Sequence, residues 1–198
     1  VGIPSVPGMA MLDGGIGVVR LAQFGQDAAR EFAGTVDRLV ETGGLKGLII
    51  DVRSNPGGLL EEAMTSAAFV LPHGAPLVEI RPRPPQAVAK QLTEGPARYP
   101  ATLPLAIVID EQSASAAEVL AGALQDAGRA TVFGRLSYGK GSVQQVVPLA
   151  EGWALKMTIA KWYTPSGRGL DRGAQPANEE IDLSAPHTGG VVPDVATV

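Results

Sequence analysis

At 198 residues, with 45% apolar and 18% charged side chains, the chain has the length and the hydrophobic content for one α/β domain with its own core, which excludes a disordered segment. A net charge of −4 from 16 basic and 20 acidic residues, with no Lys/Arg cluster, argues against nucleic acid as a partner. The absence of cysteine excludes disulfides, thiolate metal sites and a cysteine nucleophile. No run of about 18 apolar residues and no basic-then-apolar amino terminus occurs, so neither a membrane span nor a signal peptide is predicted in this chain.

In chain order, residues 1–15 carry Gly and Pro breaks and little periodicity, and read as a linker-like start. Ile16 to Phe24 is an apolar, β-branched run that predicts a strand. From Asp27 to Gly43 the apolar positions Ala29, Phe32, Val36, Leu39 and Val40 recur at three and four, the spacing of an amphipathic helix stopped by Gly43-Gly44. Leu45 to Arg53 is a continuous apolar run with a polar end, the pattern of a parallel strand covered on both faces. The loop Ser54-Asn55-Pro56-Gly57-Gly58 follows, then a helix from Leu59 to Leu71 and a short strand from Leu77 to Arg81. Pro82 to Pro104 is rich in Pro and polar groups and reads as a surface excursion.

Leu105 to Asp110 is a second buried-type strand, followed by a helix from about Ser113–Ser115 to Asp126. Thr131 to Gly134 predicts a short strand, Arg135 to Ser142 a Gly-rich loop, and Val143 to Leu149 and Ala154 to Tyr163 two further strands. Beyond Thr164, Gly, Pro and polar residues dominate. Strands alternating with helices, then strand–strand units, predict an α/β domain over residues 16–198.

Ligands of such sheets gather at the carboxyl ends of strands, and two loops qualify. In Asn55-Pro56-Gly57-Gly58 the paired glycines suit either a tight turn or backbone N–H groups aimed at an oxyanion. In Gln112 to Glu118, Ser115 with Glu118 three residues on fits either a helix-capping box or a nucleophile at a helix start. The two histidines, His73 and His187, both fall in Gly/Pro-rich stretches without a nearby acidic partner, which disfavours a Ser/His/Asp triad. Lys140 stands between glycines in Tyr138-Gly139-Lys140-Gly141-Ser142. As a base near neutral pH it needs burial that holds its ammonium well below the ordinary value, a cost of about 4 kcal/mol. Gly134 to Lys140 also matches G-x-x-x-x-G-K, but Gly141 replaces the required Ser or Thr and a strand follows instead of a helix, so phosphate binding is rejected.

Four blocks, GLIIDVRSNPGGLLEEA (Gly47 to Ala63), SASAAEVLAGALQDAGRATVFG (Ser113 to Gly134), YGKGSVQQ (Tyr138 to Gln145) and YTPSGR (Tyr163 to Arg168), together resemble the carboxyl-terminal processing or tail-specific proteases, in that family's order. The resemblance implies a Clp protease/crotonase-like α/β core of β-β-α units with a small β subdomain. It implies a serine endopeptidase without cofactor or metal that cleaves protein or peptide substrates near their carboxyl termini, outside the cytoplasm. Ser115 aligns with the nucleophile, Lys140 with the base and Gln144 with the residue that orients the lysine. Ala116 and Gly57 would supply oxyanion N–H groups, with Gly58 as the alternative, and Asp126 would support structure near the site. Ala117 replaces a third serine of the motif, the PDZ domain that usually precedes the core is not in this chain, and Gly190 to Asp194 stands for a Gly-Ile-x-Pro-Asp element after a polar insertion. A non-catalytic peptide-binding module is the competing reading, an acyl-CoA enzyme has no nucleotide-pocket support, and oligomeric assembly is left open.

Overall fold

A computed structural model describes residues 4–82, 87–172 and 189–197. The elements run β1 (Gly8–Leu12), β2 (Ile16–Arg20), α1 (Ala28–Glu41), β3 (Gly47–Asp51), α2 (Leu60–Ala68), β4 (Pro76–Pro82), β5 (Ala89–Leu92), β6 (Leu105–Ile109), α3 (Ala116–Asp126), β7 (Thr131–Gly134), β8 (Ser142–Pro148), β9 (Ala154–Tyr163) and β10 (Val195–Ala196). Six strands form one sheet in the order β1-β2-β3-β6-β7-β10, and four form a smaller antiparallel sheet in the order β5-β4-β9-β8. The predicted α/β core with a small β unit is the architecture found.

Apolar runs without alternation place β3 and β6 in the middle of the large sheet, where Leu48, Ile50, Ile107 and Ile109 lose almost all contact with water. α1 turns Phe32, Val36 and Leu39 inward. α3 is buried along its length from Ala116 to Leu124, and its small residues allow close approach: a Cβ on Gly122 would stand 2.8 Å from Thr164 Cγ2. β3 and β6 are parallel neighbours, with Leu48 opposite Leu105 and Asp51 opposite Val108. Their following loops therefore emerge side by side at the carboxyl edge of the sheet, the position that binds ligands in this architecture.

Three stretches depart from the sequence expectation. Residues 8–12, read as linker-like, form β1 antiparallel to β2; every side chain of that edge strand is exposed, so no burial period marks it. The excursion after Pro82 contains β5, paired with β4, and Tyr99, buried with its hydroxyl donating to Ala33 O at 2.9 Å. Near the carboxyl end β10 adds in parallel to β7, with Val195 opposite Phe133, and Asp194 Oδ2 accepts the Val132 N–H at 2.7 Å. Two residues are too short a strand to show a period.

Candidate active site

The two loops are laced to one another before either meets a substrate. Asn55, fully buried, donates from Nδ2 to Leu21 O at 2.8 Å, and its carbonyl accepts the Ala114 N–H at 2.9 Å. Asp110 Oδ1 accepts the Ser54 N–H at 2.8 Å, and Ser113 Oγ donates to Val52 O at 2.8 Å. Ser113 is thus committed to structure, which leaves Ser115 as the serine at the helix start.

Ser115 has φ 58° and ψ −118°, a backbone conformation that side chains other than glycine's rarely adopt and that stores about 1–3 kcal/mol. It is 8% exposed and precedes the first turn of α3. A serine held in strain on a sharp turn between strand and helix, at the carboxyl edge of a parallel sheet, has the placement of a nucleophile. The predicted capping box forms: the Ser115 N–H donates to Glu118 Oε2 at 2.7 Å, and the Glu118 N–H faces the Ser115 side chain while donating to the Ser115 carbonyl at 2.9 Å. Gly57, at φ 97°, lies directly against the serine; a Cβ there would stand 2.7 Å from Ser115 Cβ and 2.8 Å from Ala114 O.

The proposed oxyanion donors divide differently from the sequence expectation. The Gly57 N–H is taken by Asn55 Oδ1 at 2.8 Å, a short Asx bond within the turn. The N–H groups of Ala116 and Gly58 donate to no partner among the described residues. Ala116 is buried at the first position of α3, where a helix N–H has no intrahelical acceptor, and directly follows the strained serine, which makes it a place for an acceptor; Gly58 is exposed, so its N–H is open to solvent.

The Gly139-Lys140-Gly141 loop is anchored by its backbone. The N–H groups of Gly139 and Lys140 donate to Glu118 at 2.6 and 2.8 Å, Tyr138 N–H donates to Ser113 O at 3.0 Å, and Trp162 N–H donates to Gly141 O at 2.7 Å. The loop after β7 and the turn before α3 are thereby brought together. The Lys140 side chain itself is exposed, so the buried ammonium required by the sequence argument is not the arrangement found. Gln144 is also exposed, on β8 opposite Thr158. The reason is local: β8 is an edge strand and its residues from Gln144 onward face largely to solvent.

Glu118 is the residue whose part the sequence reading underestimated. It is fully buried, and burial pushes its carboxyl up against the hydrogen bonds that favour the ionised form. Asp126 lies at the far end of α3, roughly 16 Å from Ser115. There it accepts the Ser166 N–H at 2.7 Å and pairs with Arg168, fastening the Tyr163 to Arg168 segment and not the site. His73 is exposed in the turn between α2 and β4, and His187 lies outside the described residues.

A family model described as peptidase family S41 matches residues 15–179. A carboxy-terminal-processing protease of Bartonella bacilliformis is 38% identical over 169 residues, covering 80% of this chain and 37% of that protein. The carboxy-terminal processing protease CtpB of Bacillus subtilis is 36% identical over 168 residues, covering 81% of this chain and 33% of its own length. Among solved structures, a photosystem II D1 C-terminal processing protease superposes with a TM-score of 0.72 at 29% identity, over 95% of this chain and 44% of that one. The chain spans about a third of the length of these curated relatives.

Proposed function

Since the chain belongs to peptidase family S41, we propose that it is the catalytic core of a serine endopeptidase that cleaves protein substrates near their carboxyl termini. Ser115 Oγ attacks the scissile carbonyl carbon, Lys140 takes the hydroxyl proton, and the oxyanion is held by the N–H groups of Ala116 and Gly58. Collapse of the tetrahedral intermediate breaks the C–N bond, with the lysine returning the proton to the leaving amine; water then hydrolyses the ester and frees Ser115. The single observation that carries this reading is the strained, buried Ser115 followed at once by the buried Ala116, whose N–H has no partner among the described residues. Lys140 hangs on a flexible four-carbon stem from a fixed backbone, so rotation of its side chain suffices to bring the amine to the serine, and Gln144 orients it there. The edge strand β8, which starts just after Gly141, suits an extended substrate adding as a further strand.

Incubating an unstructured protein with the chain and with Ser115→Ala and Lys140→Ala variants tests the proposal, with product termini read by mass spectrometry. The parent should release carboxyl-terminal fragments, and each variant should lose at least about 10⁴ of the rate while remaining folded. Equal cleavage by all three proteins removes the dyad. The exposure of Lys140 favours one second reading, a module that holds peptides without cutting them; binding of the same substrate by a parent that never cleaves it would select that reading. Among the described residues no helix is long and apolar enough to cross a membrane. We place the protein outside the cytoplasm on its likeness to the family, and cell fractionation that finds it in the cytoplasm would reverse this.

A further inference from the structure

Glu118 is fully buried and has no ion pair among the described residues, an arrangement that is costly for a carboxylate unless hydrogen bonds replace its hydration. Four donors do so. Oε2 accepts the N–H of Ser115 at 2.7 Å and of Lys140 at 2.8 Å; Oε1 accepts the Ser137 hydroxyl at 2.5 Å and the Gly139 N–H at 2.6 Å. The Ser137 proton is committed to Glu118, because Ser137 Oγ itself accepts the Val191 N–H at 2.7 Å. A helix cap needs only the first of these bonds. The other three reach a loop about twenty residues further along the chain.

We infer that Glu118 is a positioning residue for peptide cleavage: one of its oxygen atoms holds the backbone of both Ser115 and Lys140, and so fixes the nucleophile-bearing turn against the base-bearing loop. The inference rests on the proposed Ser115–Lys140 pair and adds what registers its two halves. The carboxyl segment completes the register from the other side. Ser137 N–H donates to Val191 O at 3.2 Å, and a Cβ on Gly190 would stand 2.8 Å from Ser137 Oγ, so the chain after residue 188 closes directly on the Ser137–Glu118 bond. The chemistry demands a carboxylate. With glutamine, whichever way the amide turns, an NH₂ group faces two donors, so half of the contacts are lost without a change of shape.

The rate at which an alkyl fluorophosphonate labels Ser115, mapped by peptide mass, tests this across a pH series in the parent, Glu118→Gln and Ser137→Ala, with thermal unfolding followed in parallel. Glu118→Gln should slow labelling about 100-fold, the cost of roughly 1 Å of misplacement, and change the shape of the pH–rate profile. Ser137→Ala, which removes one donor and keeps the carboxylate, should slow it about tenfold with a smaller change of profile; it decides the matter alone if Glu118→Gln does not fold. A folded Glu118→Gln that labels within twofold of the parent overturns the inference. So does a loss of rate that only tracks the loss of folded protein while the pH profile stays in place. A parent that labels elsewhere than Ser115 overturns the proposed function and this inference together, whereas a labelled parent with unaffected variants overturns the inference alone.

Discussion

The two halves of the site are built to different standards of order. On the nucleophile side, the turns after β3 and β6 are cross-linked by Asn55, Asp110 and Ser113, bury Asn55, Gly57 and Ser113 to Ser115, and hold Ser115 in a conformation that only tight surroundings can maintain. On the base side, the loop backbone is anchored but the side chains of Lys140 and Gln144 are exposed, and Trp153, between β8 and β9, is 72% exposed. The contrast teaches that rigidity is built around Ser115, while the Lys140 amine is left at the surface on a long side chain. Glu118 is bonded to the backbone of both halves.

Substituting glycines on either side breaks the contrast in different ways. In Gly57→Ala the new methyl group meets Ser115 Cβ, Ala114 O and the Ala116 nitrogen within 3.0 Å, at a φ of 97°, among atoms that cannot retreat. Strain and overpacking together should cost about 3 kcal/mol or more of stability and about 1000-fold in serine labelling, read by denaturant midpoint and by labelling rate. Gly141→Ala brings a Cβ to 2.2 Å from the Asp171 nitrogen and 2.4 Å from the Leu170 carbonyl carbon, so the backbone after β9 and the loop before β8 must part. It should cost about 3 kcal/mol and slow labelling about 100-fold, because the loop that carries Lys140 is displaced. A stability loss in Gly141→Ala much smaller than in Gly57→Ala would mean that the base loop yields where the nucleophile turn does not.

Much of the nucleophile side was legible in the sequence, because its signals are local. Continuous apolar runs named β3 and β6, and Gly57 and Ser115 stood in the loops that follow them. The residues alone left helix cap and nucleophile both open at Ser115, because a serine at a helix start suits either; the structure forms the box and also strains the serine's backbone. Glu118 gave a local signal, its box with Ser115, that concealed three bonds to partners distant in sequence. The identity of the free N–H at Gly58 in place of Gly57 depended on an Asn55 rotamer, and the exposure of Lys140 on tertiary packing; neither has a sequence period. β1, β5 and β10 escaped for the opposite reason, being short edge strands with mostly exposed side chains.

The far end of α3 supplies the smallest expected effect and the check on where the site stops. Burial pushes the Asp126 carboxyl up, but hydrogen bonds from Thr164 and Ser166 and the pair with Arg168 outweigh it and hold the group below its ordinary value. A carboxylate so depressed adds stability above the pKa it has in the unfolded chain, and that stability fades as pH falls through the folded value. Asp126→Asn should therefore cost about 1 kcal/mol at pH 7, a figure kept low because Arg168 is half exposed, and the difference from the parent should shrink below about pH 4 in parallel denaturant titrations. Labelling of Ser115 should be unchanged in this variant, since roughly 16 Å of helix separates the two side chains. A folded Asp126→Asn protein with slowed labelling would show instead that the Tyr163 to Arg168 segment works on the base loop through β9, and the boundary between framework and site would have to move down the whole length of α3.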